Sequence, residues 1–401
     1  MRRRWATTVL LVGALALLVG AAAAVAQAPL GATRAKASTV KVGIIYSRTG
    51  LLSAFGAEYI QGLKLGLDYA TKGTGTVNGK KIELTVVDDA GDPAKAVSAA
   101  KDLIGQGVKI IAGTVSSGVA LQLAPLADQN HILYISGPAA SDAITGINKY
   151  TFRSGRQTYQ DVITADAFLG GQQGKKIVVF AQDTAFGQGN YATVKAVLGG
   201  KGHSVDKILV PLTATDFTPF AQQAKQDNPD LLFVAWAGTT GAAMWKALDQ
   251  QGVFGVSNKV VTGLPERATW NSFGDPATKI QFLSHYVWNA PKSKVNDWLV
   301  AKMRRFNQVP DIFTPDGFVA AQMIVRAIQQ SGGDDVDKMV SSLEGWSFLA
   351  PKGQQTIRKS DHAMLQPMFE LKLTKKGNRL VPQVLGTVPP SKTAPPEKAI
   401  G

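Results

Sequence analysis

Residues 40–70, VKVGIIYSRTGLLSAFGAEYIQGLKLGLDYA, read as a strand, a loop and a helix in succession. Val40–Tyr46 is apolar apart from Lys41, the pattern of a strand covered on both faces. Ser47-Arg48-Thr49-Gly50 has the composition of a turn. From Glu58 to Ala70 the residues Ile60, Leu63, Leu67 and Ala70 recur at three- and four-residue steps, which puts them on one side of a helix.

The same alternation continues downstream. Ile82–Val87, Val108–Ala112 and Ile132–Ser136 read as strands, with helices over Pro93–Ile104 and Val119–Gln129. It then restarts. Lys176–Ala181, Val205–Val210, Leu231–Trp236 and Lys259–Thr262 read as strands, with helices near Tyr191–Leu198, Phe217–Gln226 and Gly241–Gln251. Apolar strands each followed by a helix imply parallel sheets covered on both sides, so the fold class is α/β with two similar lobes. The chain from Ser284 onward is too short for a third such unit. It carries helices at Lys294–Phe306, Pro315–Ser331 and Val336–Leu343, then strands Met368–Leu373 and Arg379–Leu385 around a Lys375–Asn378 turn. Material left over after two complete units has to be shared between them, so the chain is expected to cross between lobes more than once. Residues 387–401, with Pro389-Pro390 and Pro395-Pro396, read as a disordered or extended proline-rich tail.

Composition narrows the function. With 45 % apolar residues the 401-residue chain is no disordered protein, and its length suits two domains. The absence of cysteine excludes disulfides, thiolate metal sites, thiol nucleophiles and a lipid anchor on an N-terminal cysteine. Arg2-Arg3-Arg4, the apolar run Val9–Val19 and the A-x-A pattern Ala24-Val25-Ala26 form a signal peptide over residues 1–26. The protein is therefore expected to be exported, periplasmic or otherwise extracytoplasmic, and soluble, with a flexible leader over 27–39. Removal of the three arginines lowers the net charge from +14 to +11, and no aromatic-basic motif turns the remainder into a nucleic-acid site.

No catalytic constellation emerges. His131, His203, His285 and His362 lie far apart with no metal-ligand spacing, and Gly113–Gly118 lacks G-x-S-x-G. Gly187-Gln188-Gly189-Asn190-Tyr191-Ala192 matches G-x-G-x-x-A but begins too late after its strand for a dinucleotide turn, and reads as a loop entering a helix. These absences predict neither enzyme activity, nor cofactor, nor metal. They leave the loops at the carboxyl ends of strands, where open α/β sheets bind ligands. In Gly113–Gly118 and Ser136–Asp142, Ser117 and Ser141 stand beside helix starts and suit a carboxylate or another anion, or else simply cap those helices.

Lys41–Ile45 with Thr49-Gly50, Phe55-Gly56, Asn78–Leu84, Asp88-Asp89, Asp92-Pro93, Gly113 with Ser116-Ser117, Pro138–Ser141, Phe152-Arg153, Phe186-Gly187, Thr215–Phe217, Pro229-Asp230 and Asp361-His362 occur in a characteristic order. Together they resemble the type I periplasmic binding proteins of the leucine/isoleucine/valine-binding branch, from about Val40 to Leu385. The resemblance implies two Rossmann-like lobes joined by a three-segment hinge, with boundaries at 40–153 plus 287–346 and at 154–286 plus 347–386. It implies a monomer that captures a branched-chain amino acid or related small carboxylate and delivers it to an ABC permease. A ligand sensor for a membrane signalling receptor, or an importer subunit for aromatic acids or amides, is the alternative.

Residue by residue, Ser117, Ala139 and Ser141, with their neighbours Ser116 and Ala140, match positions that hold the amino-acid head group. Phe55 and Phe186 match lining positions, although the family often has tyrosine at the second. Ala237 and Gly238 face the cleft there, with Trp236 beside them. Glu266 matches the acid that pairs with the ligand ammonium, after a one-residue shift in Gly263-Leu264-Pro265-Glu266.

Overall fold

The computed structural model describes residues 38–263 and 265–401. The segment read as signal peptide and residues 27–37 of the expected leader fall outside the described residues, as does Leu264, whereas Thr39, expected as the end of the leader, opens the first strand. No described helix is long and apolar enough to cross a membrane.

The first lobe is built on strands β1 (Thr39–Tyr46), β2 (Thr76–Val77), β3 (Lys80–Asp88), β4 (Ile110–Ala112), β5 (Leu133–Ser136) and β6 (Thr151–Arg153), in the order β2-β3-β1-β4-β5-β6. Every pair is parallel except the hairpin of β2 with β3. Helices α1 (Ser53–Ala70), α2 (Pro93–Gly105) and α3 (Ser117–Gln129) connect the strands. Asp92 caps α2 by accepting from the N–H groups of Ala94 and Lys95, with Pro93 at the first helical position.

The second lobe repeats the plan. Its elements are α4 (Thr158–Leu169), β7 (Lys176–Gln182), α5 (Ala185–Val197), β8 (Ser204–Val210), α6 (Thr218–Asp227), β9 (Leu231–Ala235), α7 (Gly241–Gln250), α8 (Val253–Val256), β10 (Lys259–Gly263) and β11 (Ile280–Ser284). The five strands pair in parallel in the order β11-β10-β9-β7-β8. On β7, Val178 and Phe180 enter one core while Ile177, Val179 and Ala181 enter the other, which is why the strand is apolar throughout. The G-x-G-x-x-A stretch lies inside α5 rather than in a loop before it.

The chain then returns. Helices α9 (Lys294–Arg304), α10 (Thr314–Ser331) and α11 (Val336–Leu343) complete the first lobe, and α10 packs along α1. Close approach is possible because Gly62 and Gly317 have no side chains: a Cβ at Gly62 would fall 1.8 Å from the Thr314 carbonyl oxygen, and one at Gly317 would fall 1.9 Å from that of Tyr59. Next come β12 (Ser347–Ala350), β13 (Gly353–Ile357) and β14 (Met364–Leu365), a small antiparallel sheet. Finally β15 (Met368–Lys376) and β16 (Arg379–Val388) add an antiparallel edge to the second sheet, followed by α12 (Pro390–Thr393).

The sequence-based boundaries need two corrections. Residues 347–365 belong with the first lobe, because Phe348, Ala350, Ile357 and Met364 are buried in its core. The three crossings between lobes are therefore Ser154–Gln157, residues 285–293 and Gln366-Pro367. The proline-rich tail is also seated rather than loose. Arg358 donates to the carbonyls of Pro395 (2.7 Å) and Pro396 (3.3 Å), Lys398 N–H to Asp361 (3.2 Å), and Gly401 N–H to the Gly146 carbonyl (3.1 Å).

Candidate functional site

Both parallel sheets reverse strand order at one point, between β1 and β4 in the first lobe and between β7 and β9 in the second. A crevice outside the carboxyl ends of the strands forms at each such point. In the first lobe, buried Asp89 fixes the flanking loops: its carboxylate accepts from Ser47 Oγ and from Thr114 Oγ1, both at 2.6 Å. In the second, Gln182 Oε1 accepts from Ala237 N–H at 3.0 Å and so ties the end of β7 to the loop after β9.

The two crevices face one cavity of about 530 Å³. Leu51, Leu52, Phe55, Val115, Ser116, Ser117 and Ala140 wall it from the first lobe, and Asp183, Thr184, Phe186, Trp236, Ala237 and Pro265 from the second. Arg156, Asp161 and His285, from the crossings and the start of α4, form its floor beside Ile312 and Phe313. The Phe55 and Phe313 rings meet edge to face with centroids 4.8 Å apart.

The lobes are closed on one another. Thr239 N–H donates to the Leu51 carbonyl (3.3 Å), Thr193 Oγ1 to Asp142 (2.6 Å), and Arg267 N–H to Asp311 (2.8 Å). Each bond joins residues of different lobes.

Six of the ten residues singled out from sequence line this cavity: Phe55, Ser116, Ser117, Ala140, Phe186 and Ala237. The other four do not. Ala139 is fully buried against Ala120 and Ile144. Ser141 spends its polar groups locally, its N–H on Ser117 Oγ (3.2 Å) and its Oγ on Ala143 N–H (3.3 Å). Gly238, at φ +85°, packs its backbone against Leu51. Glu266 is buried beside the cavity while Pro265 faces it, and burial together with the charge of Asp311 raises its carboxyl above the ordinary range. Ser116 is the N-cap of α3, accepting from Val119 N–H. Trp236, expected only beside the cleft-facing residues, lines the cavity itself, and its Nε1 donates to Thr240 Oγ1 (3.0 Å).

Sequence reasoning missed the floor. Arg156 stands three residues beyond the Phe152-Arg153 match, and His285 had been set aside with the other histidines. Burial pulls His285 down to about 4, so its ring is neutral, and burial raises the Asp161 carboxyl. Among the described residues no group of His, Asp or Glu is arranged to hold a metal ion.

Relatives of known type agree with this geometry. The sequence model of the family described as "Periplasmic binding protein" matches residues 39–378. The Leu/Ile/Val-binding protein homolog 3 of Brucella melitensis is 26 % identical over 314 residues, 77 % of this chain and 83 % of that protein. A solved structure from Rhodopseudomonas palustris CGA009, described as an ABC-type branched-chain amino acid transporter, is 33 % identical with a TM-score of 0.73, covering 90 % of this chain and 99 % of that one. A solute-binding protein of an ABC transporter from R. palustris BisB5, in complex with 3,4-dihydroxybenzoic acid, is 28 % identical with a TM-score of 0.78, covering 88 % and 97 %. The chain belongs to the periplasmic binding protein family, in its type I, Leu/Ile/Val-binding branch.

Proposed function

We propose that this protein is the exported, monomeric solute-binding subunit of an ABC importer, and that it holds a branched-chain amino acid or related small carboxylate between its lobes for presentation to a membrane permease. Its role is capture, not catalysis. The observation that carries this reading is the closed cavity walled by the strand-order reversals of both sheets. A ligand touching both walls stabilises the closed state by its differential affinity for it. A second reading, an aromatic acid as ligand, is favoured by the rings of Phe55, Phe186, Trp236 and Phe313 around the cavity. It is also in keeping with the dihydroxybenzoate held by the R. palustris relative.

Isothermal titration decides between them, after unfolding and refolding to strip carried-over ligand. Leucine, isoleucine and valine are titrated beside their deaminated acids and a set of benzoates. Saturable heat from one of these groups is expected; no binding by any of them at millimolar concentration sinks the proposal.

Closure makes a separate prediction. A Cβ on Gly238 would lie 2.4 Å from the Leu51 carbonyl oxygen across the cleft. Gly238→Ala is expected to weaken the ligand by at least about tenfold by propping the lobes apart. Gly202→Ala is the control for backbone strain, since Gly202 also has positive φ (+91°) but nothing within 4 Å of its Cβ. It should leave the Kd unchanged, and equal effects of the two would count against propping.

A further inference from the structure

The loop that the family resemblance assigns to the ligand head group is already occupied by its own protein. The carbonyls of Ala139 and Ser141 accept from the buried Arg153 guanidinium (2.7 and 3.4 Å), and the Ser141 N–H goes to Ser117. What faces the cavity with unspent capacity is Arg156. It is 9 % exposed, and it lines the cavity at the first crossing between lobes. Its Nη1 donates to the Pro138 carbonyl at 3.1 Å, and its Nε lies 3.2 Å from Asp161 Oδ2. A guanidinium has five N–H donors. Those two contacts leave the rest of the Nη1 and Nη2 edge without a partner among the described residues.

The surrounding charges favour an anion at that edge. The buried ionisable groups of the floor are Arg153, Arg156 and Lys352 against Asp161 and Asp316, with His285 neutral. A second group of acids, Glu58, Glu266 and Asp311, stands behind Ile312 and Phe313, where Glu58 accepts from Phe313 N–H (3.0 Å) and Asp311 from Arg267 N–H, and burial raises all three carboxyls and so weakens their charge. Lys352 and Asp316 are paired with each other, and Asp161 is shared with Arg156. Asp142 answers Arg153 from farther out, but its oxygens are committed to Gln157 and Thr193. Asp183, the other acid on the wall, is exposed and accepts from Gln188. The floor thus presents one buried, planar cation beside the Phe313 ring, whose centroid lies 5.8 Å from the guanidinium carbon. Planar recognition of a carboxylate is the task that arginine performs better than lysine.

Building on the solute-binding reading, we propose that Arg156 is the carboxylate anchor of this site. The ligand is a carboxylate that docks its anionic end on the Arg156 Nη edge at the hinge and extends its apolar body toward Phe55, Phe186 and Trp236. The acid end is thereby recognised by a side chain of the hinge and not by the Ala139–Ser141 loop.

The test uses the full, ligand-stripped protein and pairs of probes that differ only in charge: benzoate and benzamide, 4-methylpentanoate and its amide, leucine and leucinamide. The acid of at least one pair is expected to bind about a hundredfold more tightly than its amide, the scale of losing one partner of a buried charge pair. In the double variant Arg156→Gln/Asp161→Asn, which leaves no unpaired acid behind, the acid should weaken by about a hundredfold and the preference over the amide should vanish. Arg156→Lys should keep the preference with intermediate affinity.

A wild-type protein that binds acid and amide alike overturns the anchor while leaving the solute-binding reading intact, and so does a folded double variant that keeps the preference. Failure of every probe, acid and amide, overturns both. A crystal structure of the wild-type complex with the tightest acid decides independently of how the variants fold. Its carboxylate is expected within hydrogen-bond distance of an Arg156 Nη atom, and a carboxylate seated instead at the Ser117 end of α3 overturns the anchor.

Discussion

Lys352→Met is expected to lower the unfolding free energy of the unliganded protein by about 3–5 kcal/mol near neutral pH, the cost of leaving a buried charge without its partner. Lys352 is 1 % exposed, and its Nζ pairs with Asp316 and donates to Gln366 Oε1 at 2.8 Å. Asp316 is fully buried in the first turn of α10, where the helix N-terminus also favours its charge. Burial alone would raise its carboxyl, but Lys352 first and then His285 outweigh that and hold it down at about 2. Methionine fills the lysine volume and supplies no proton donor, so Asp316 keeps only His285, 3.4 Å away.

The loss matters beyond its size because Asp316 touches all three crossings between the lobes. Gly155 of the first packs against its Oδ2, His285 belongs to the second, and Lys352 links it to Gln366 of the third. Urea unfolding of the stripped protein at pH 7.5 measures the effect. A loss below about 1 kcal/mol would mean that the pair is no better than a surface salt bridge. The double variant Lys352→Met/Asp316→Leu should recover much of the loss, because replacing both charges removes the desolvation cost as well as the attraction.

The architecture was legible in the sequence wherever burial wrote a pattern. Parallel strands covered on both faces must be apolar throughout, so β1, β7 and β9 stood out with little competition. Elements that bury polar residues did not stand out. In α4, Thr158, Gln160, Asp161 and Thr164 are all buried at the hinge, which erases the apolar period of the helix. Strand β6 is three residues long and ends in buried Arg153.

The lobe assignment of residues 347–365 went astray for a different reason. Alternation reveals that a segment is a strand, but not which of two similar cores receives it. The tail misled because its anchors are backbone carbonyls of Pro395 and Pro396, which leave no side-chain pattern. At the cavity, the wall residues sit on the loops and first helical turns that follow recognisable strands, so Phe55, Ser117 and Phe186 could be found. Arg156, His285 and Phe313 lie in segments far apart in sequence and are gathered only by the crossings. A polar residue in an irregular segment carries no periodic signal, and that is where this site keeps its charge.

The same cluster should give the stability a limb on the acid side that one substitution isolates. Burial lowers His285 from its ordinary 6.5 to about 4, against the opposing pull of Asp316. Between those two values the unfolded chain binds a proton that the folded chain does not, so stability rises with pH there and falls as pH is lowered. For this one group the fall amounts to about 3 kcal/mol between pH 7.5 and pH 4, and it is flat below. His362, also lowered by burial, acts in the same sense, whereas Asp161, Glu58 and Glu266, all raised by burial, act in the opposite one. The whole-protein profile is therefore a composite, and the informative quantity is the difference between wild type and His285→Gln. That difference should shift by about 3 kcal/mol in favour of the variant as the pH falls from 7.5 to 4. A difference that stays constant across the range would show that His285 titrates normally in the folded state and is not held neutral at the hinge. In the Lys352→Met background the sign should reverse: with Lys352 gone, His285 is the remaining partner for Asp316, and acid should restore stability by protonating it.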